Sequence, residues 1–414
     1  MELRDSGKTI SFFSRIALQL PTIALSTATM IAISRHLGPI GRGEVSQILL
    51  LASLTSSIIC TPIFLSIMHL KVANEIKLYV SNSLFLFSRR NLILIALLNS
   101  CILLLNISNR EILNLEDLIY LNLLILFYFI SAQIRDLLLR FHKNKIYGID
   151  FAVQLAISGS VLSLLLLNTL TVSKVIQIFL VSYGLLTILL LVVLKTKVKE
   201  FKYADLVHRQ FDISRRLKAW TANNSFSKLG ILFQLSMSKD LLFGMLLLSK
   251  ADFGIMSALT SFWVVVRFLR PSAVIQVKLG TNEFDVSSGL TRGFFAFMTR
   301  ASSAIYVQVI TIGIMGSIGY VMTPILMGRG FKPSISVAVA GTISEILLMK
   351  CLYDLSTTAS KFSQNLFSYV SAAQVVVLIV MRITDINFTI DLIWVSSCAT
   401  YLLWQFLNLA RGRK

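Results

Sequence analysis

Along this chain, stretches of about twenty mostly apolar residues alternate with short polar stretches rich in Lys and Arg. Lipid cannot satisfy backbone N–H and C=O groups, so a segment of that length must meet them internally, as a helix. Windows of spanning size fall near 10–34, 45–69, 91–108, 118–134, 146–167, 172–194, 223–248, 253–278, 301–322, 334–353, 362–381 and 390–409. The pattern predicts an all-α polytopic membrane protein of about twelve transmembrane helices. The first run is longer than a signal-peptide core and leads into Arg35-His36-Leu37-Gly38-Pro39 without a small-residue cleavage site, so it is expected to be retained.

The polar stretches set the orientation. With the N-terminus inside, the inner segments hold about 26 Lys and Arg and the outer ones 8, which places both termini in the cytoplasm. A basic stretch at 195–222 divides the windows into two sets, an N-terminal six-helix lobe at 1–194 and a C-terminal one at 223–414. A short repeat supports the division. Phe13-Ser14-Arg15 precedes Ser34-Arg35, and Phe226-Ser227-Lys228 precedes Ser249-Lys250 at similar spacing and in the same order, as parallel repeats require.

Composition agrees with the pattern. Hydrophobic residues make up 55% of the chain and charged ones 14%, against roughly 25% charged in soluble domains, so no independent water-soluble domain is expected. The net charge of +19 is spread between apolar runs and forms no single basic, aromatic-rich stretch, so nucleic acid is not an expected partner. Cys60, Cys101, Cys351 and Cys398 each lie inside an apolar run and read as small buried hydrophobes. His36, His69, His142 and His208 lie at window ends or between windows without metal-ligand spacing, and no metal is expected.

Ionised groups deep in a membrane window cost about 2.5–3.5 kcal/mol each on insertion scales, which singles out five residues. Lys239 and Asp240 lie near the centre of the seventh window. Sequence neighbours point about 100° apart on a helix, so each needs a partner on another helix or a wet cavity, either to hold the bundle together or to act on a ligand. Arg267 and Arg270 lie one turn apart in the eighth window with no acid within a turn. Two such guanidiniums suit a phosphate or diphosphate, although both also lie close enough to the window's end to snorkel, and Pro271 follows directly. Glu345 lies in the tenth window without a local partner. It is a candidate for a coupling proton or cation, or for an interhelical pair with Lys239 or an arginine. Lys350 and Asp354 have pairing spacing. No nucleophile elbow, phosphate-binding glycine loop or zinc-protease helix motif occurs, so an enzyme is not expected.

Three stretches resemble the Wzx-type polysaccharide (O-antigen) flippases of the multidrug/oligosaccharidyl-lipid/polysaccharide exporter (MOP) superfamily. The first is Ile33-Ser34-Arg35-His36-Leu37-Gly38-Pro39-Ile40-Gly41-Arg42-Gly43-Glu44, similar to the family's junction between its first two helices. Its glycines permit a tight turn and close backbone approach. The second is Lys239-Asp240 followed by Ala251-Asp252-Phe253-Gly254, with Lys where Arg is common and Ile255-Met256 where Ile-Tyr is usual. The third is Pro324-Ile325-Leu326-Met327-Gly328-Arg329-Gly330-Phe331.

The resemblance implies a MATE-like fold in the bacterial inner membrane. It also implies transfer of an isoprenoid (undecaprenyl) diphosphate-linked oligosaccharide from the cytoplasmic to the periplasmic leaflet, for O-antigen, capsule or exopolysaccharide. Lys239, Arg267 and Arg270 are the expected contacts to the diphosphate or anionic sugar, and Asp240 and Glu345 the expected coupling or gating acids. No cofactor is expected, and a proton or sodium gradient is the candidate driving force. The implied partners are the lipid-linked oligosaccharide, membrane lipids, and polysaccharide polymerase and chain-length regulator proteins, around a monomer. An ion-coupled drug or metabolite antiporter of the same fold is the second reading, and a membrane polysaccharide polymerase or ligase the third. The third is disfavoured because such enzymes carry a large outer loop and every outer loop here is short.

Overall fold

The computed structural model describes residues 12–67, 95–96, 99–100, 114–197, 225–269, 305–358, 361–383 and 387–412. Among them every regular element is an α-helix. In chain order these are α1 (Phe12–Ile67), α2 (Leu115–Leu166), α3 (Val172–Lys197), α4 (Ser225–Leu247), α5 (Lys250–Leu269), α6 (Ile305–Met327), α7 (Ile335–Thr358), α8 (Lys361–Ile383) and α9 (Ile390–Gly412).

Six stretches among the described residues are helical, long and apolar enough to cross a membrane: Leu115–Ala132, Gly148–Leu166, Val172–Val193, Val309–Met327, Ile335–Leu352 and Ile390–Ala410. They coincide with six of the twelve windows. Their surfaces carry large exposed apolar side chains such as Leu162, Val181, Ile310, Val339 and Phe406. A continuous apolar surface of this kind belongs in lipid. The chain is therefore a helical membrane protein. Most of the third window, 91–108, and most of the basic stretch 195–222 lie outside the described residues.

The chain forms two compact units, one of residues Met1–Met30 with Ile48–Ile231, the other of Ile31–Gln47 with Leu232–Lys414. The short segment 31–47 thus belongs with the C-terminal helices.

In the first unit, α2 runs through both the fourth and fifth windows, which the sequence presents as separate helices. Nothing between Arg135 and Tyr147 is Pro or Gly, so the sequence carries no helix breaker there. Yet α2 is not a straight rod. A 2.7 Å ion pair joins Arg135 to Asp150, two residues that a straight helix would hold about 22 Å apart. The helix therefore turns back on itself between its two spans, and the ion pair clasps the bend. α3 packs along α2 through small-for-large contacts, with Gly184 against the Phe127 ring and Tyr128 and Tyr183 4.1 Å apart centre to centre. Polar side chains join other helices inside this unit: Asn99 and Asn122 exchange amide bonds of 2.9 and 3.0 Å, and Thr29 and Ser158 lie 2.6 Å apart. Such bonds hold helices together where apolar burial adds little.

The second unit is built round aromatic side chains and small residues. Gly341 on α7 lies under Trp263 of α5 and Trp394 of α9, whose rings meet edge to face at 5.6 Å. Trp404 of α9 donates its indole N–H to the Ser363 carbonyl at 3.1 Å and meets Phe367 edge to face. Cys351 is buried in this core and Cys398 half-buried, both as free thiols.

Candidate functional site

Lys239 and Asp240, on the last third of α4, are both buried at 7% exposure. They do not share a partner. The Asp240 carboxylate accepts from Ser397 Oγ on α9 at 2.6 Å and from Ser344 Oγ on α7 at 3.2 Å. Ser397 in turn accepts from Gln374 Nε2 of α8 at 3.0 Å, so the carboxylate ends a chain of donors drawn from three helices. The Lys239 ammonium lies 4.1 Å from the centre of the Tyr401 ring, a cation–π contact. It has no hydrogen-bond partner among the described residues. A buried ammonium with three unused N–H bonds is an expensive feature to keep, because ring electrons replace only part of the lost hydration.

The other expected site residues distribute as follows. Glu345, one residue after Ser344, is 3% exposed and engaged in an interaction, so it is not the free carboxylate that its local sequence suggests. Lys350 and Asp354 pair at 2.9 Å. Arg267 is carried by α5, and its side chain lies outside the description, as do Arg270 and Pro271 altogether.

A second polar cluster forms where the three family-like stretches meet. The sequence presents Arg35 to Glu44 as an outer loop, but the segment is helical on both sides of one break at Gly38, where φ is +68° and ψ −174°. Only a residue without Cβ adopts that backbone readily. Beyond the break the chain packs against the start of α5, which Ser249 caps: its hydroxyl accepts from the Asp252 amide at 3.1 Å and donates to the Asp252 carboxylate at 2.7 Å. Gly43 and Gly254 face each other across this contact. A Cβ on Gly43 would strike the Lys250 carbonyl, and one on Gly254 the Pro39 carbonyl. A Cβ on Gly330, from the third stretch, would lie 3.2 Å from the Pro39 ring, and Phe331 and Met327 close a core with Ala258.

Arg42 therefore sits inside the protein and not in a loop, at 5% exposure. Its Nε donates to Ser257 Oγ at 3.3 Å and its Nη2 to Ser261 Oγ at 3.2 Å, while Nη1 is unmet. No carboxylate partners it among the described residues. Burial lowers this guanidinium from the ordinary arginine range to about 10, so it stays charged at neutral pH. Next to it, Glu44 pairs with Lys250 at 2.7 Å. Gly38, Gly43, Arg42 and Glu44 of the junction thus have defined roles in packing, while Arg35 is exposed.

Sequence reasoning did not single out Tyr401, Ser344, Ser397 or Gln374. One signal was available: Ser397 and Tyr401 are four residues apart, hence on one face of α9.

No family model matches this chain, and no curated protein matches it. Among solved structures, the chain is similar to a multidrug resistance MATE family transporter of the MOP superfamily in an outward-facing conformation. The identity is 15% and the TM-score 0.43, over 98% of this chain and 98% of that one.

Proposed function

We propose that this protein is a flippase that carries an isoprenoid diphosphate-linked oligosaccharide from the cytoplasmic to the periplasmic leaflet, as part of surface polysaccharide assembly. The observation that carries the reading is the Lys239 ammonium, buried in a helical membrane protein with no hydrogen-bond acceptor. Such a charge is stabilised by an anion that arrives and leaves. A diphosphate is the anion for which a cluster of Lys and Arg is the natural host. Arg267 and Arg270 add two cations from α5 and the residues after it, and transport proceeds by alternating exposure of the site to the two faces of the membrane. An antiporter built on Asp240 and Glu345 is less well supported, because both carboxylates are already engaged.

The test is binding of a short-chain isoprenyl diphosphate and of the corresponding isoprenyl alcohol to the full chain in nanodiscs. The diphosphate is expected to bind at least tenfold more tightly. Lys239→Gln is expected to remove most of that preference while the protein still inserts and elutes as a single species. Equal affinity for the two lipids sinks the reading.

A further inference from the structure

Lys239 and Asp240 are adjacent in sequence, opposite in charge and both buried; the carboxylate acts on the ammonium through space, yet no hydrogen bond joins them among the described residues and each is held by a different partner. The means is α9. Ser397 and Tyr401 stand one turn apart on a single face of that helix. The first takes the Asp240 carboxylate at 2.6 Å, and the second takes the Lys239 ammonium on its ring at 4.1 Å. Ser344 adds a second donor to the carboxylate from α7. The Ser397 hydroxyl has one proton to give, and Gln374 fixes where it goes. The Gln374 Nε2 donates to Ser397 Oγ and occupies a lone pair, so the Ser397 hydrogen is directed at Asp240. Gln374 is itself buried and also bonded to Ser396 at 2.9 Å, so its amide is held in place.

We infer that Ser397, backed by Gln374, is a positioning residue that holds the Asp240 carboxylate away from Lys239, and that Tyr401 holds the ammonium one turn further along the same face. The pair acts as a sorter: carboxylate to a hydroxyl, ammonium to an aromatic ring. The ammonium is thereby left without a hydrogen-bonded acceptor among the described residues and able to meet an incoming anion. The inference deepens the proposed function and rests on it only for the identity of that anion; the different partners of the two charges stand by themselves.

Two measurements on the full chain test it. The first needs no ligand. Melting temperatures are measured for Lys239→Met, Asp240→Asn and the double variant, giving the coupling between the two charges, and the cycle is repeated in a Ser397→Ala background. The coupling is expected to be at least about twofold larger with Ser397→Ala, where the carboxylate is released toward Lys239, than with Ser397 present. A coupling in the Ser397→Ala background no larger than in the wild type overturns the inference. Where Ser397→Ala does not yield folded protein, Gln374→Leu, which leaves the hydroxyl but frees its proton, takes its place in the same cycle.

The second measurement uses the isoprenyl diphosphate probe. Ser397→Ala is expected to weaken binding about tenfold, Ser397→Thr, which keeps the hydroxyl, to leave it within threefold, and Ser397→Ala with Asp240→Asn to recover it, since no carboxylate is left to compete. Weakened binding that the second substitution does not restore means that Ser397 is merely structural. Absence of diphosphate binding in the wild type counts against the proposed function and leaves the melting cycle to decide the inference.

Discussion

Gly254→Ala and Gly43→Ala are each expected to destabilise the second unit by about 3 kcal/mol, the upper end of what a small-to-large substitution usually costs, and to abolish accumulation of folded protein. Both glycines present a hydrogen atom to a main-chain carbonyl, Gly254 to that of Pro39 and Gly43 to that of Lys250. A side chain in the way can rotate aside, whereas a carbonyl on a helix moves only with its helix. The added methyl would therefore force the 31–47 segment off α5, and with it the Arg42 hydrogen bonds and the Glu44–Lys250 ion pair. The same substitution at Gly148 or Gly159 supplies the control. Both lie in α2 with open space where the methyl would go. There Ala is expected to be neutral, or to stabilise by about 0.5–1 kcal/mol through helix propensity. Thermal stability followed by size-exclusion elutions in detergent separates the two pairs. A melting temperature for Gly254→Ala within 2 °C of wild type defeats the close-packing account.

How much of this was legible beforehand differs between residues for physical reasons. The helices around Leu115–Ala132 or Val172–Val193 follow from apolar length alone, because the bilayer imposes one answer on any such segment. The depth of Lys239 and Asp240 follows in the same way, since a position along a membrane helix converts directly into burial. Their partners do not follow. Ser397 lies 157 residues from Asp240 and Ser257 lies 215 from Arg42, and no local spacing specifies which helix a side chain will face. Arg42 is the sharpest case. Between two windows, a charged residue among glycines reads as a loop; only the Gly43–Gly254 approach, which draws the segment under α5, makes the arginine an interior group. The bend in α2 was hidden for the opposite reason: its sequence carries no helix breaker, and the reversal shows only in the Arg135–Asp150 ion pair.

Arg42→Met is expected to leave the fold at least as stable as wild type at pH 7, and up to about 3 kcal/mol more stable, the free energy that corresponds to a lowering of the guanidinium to about 10. The sign follows from the cause. Burial disfavours the charged form, so the folded state holds this proton less tightly than the unfolded chain does. Its cost is carried in full at every pH below about 10, and it is relieved only as pH rises past that value toward the ordinary arginine range. Methionine fills most of the same volume without the charge. It strands nothing, because the two serines that Arg42 touches already donate within their own helix, Ser257 to the Gly254 carbonyl at 3.1 Å and Ser261 to the Ser257 carbonyl at 2.9 Å. Arg42→Ala, which leaves a cavity, is expected to be destabilising instead. The comparison is made by thermal unfolding of wild type, Arg42→Met and Arg42→Ala at pH 7. A methionine variant clearly less stable than wild type means that the two serine bonds outweigh desolvation and that the guanidinium holds α1 to α5. A more stable one means that an arginine is kept at this junction against a stability cost, which packing alone does not explain.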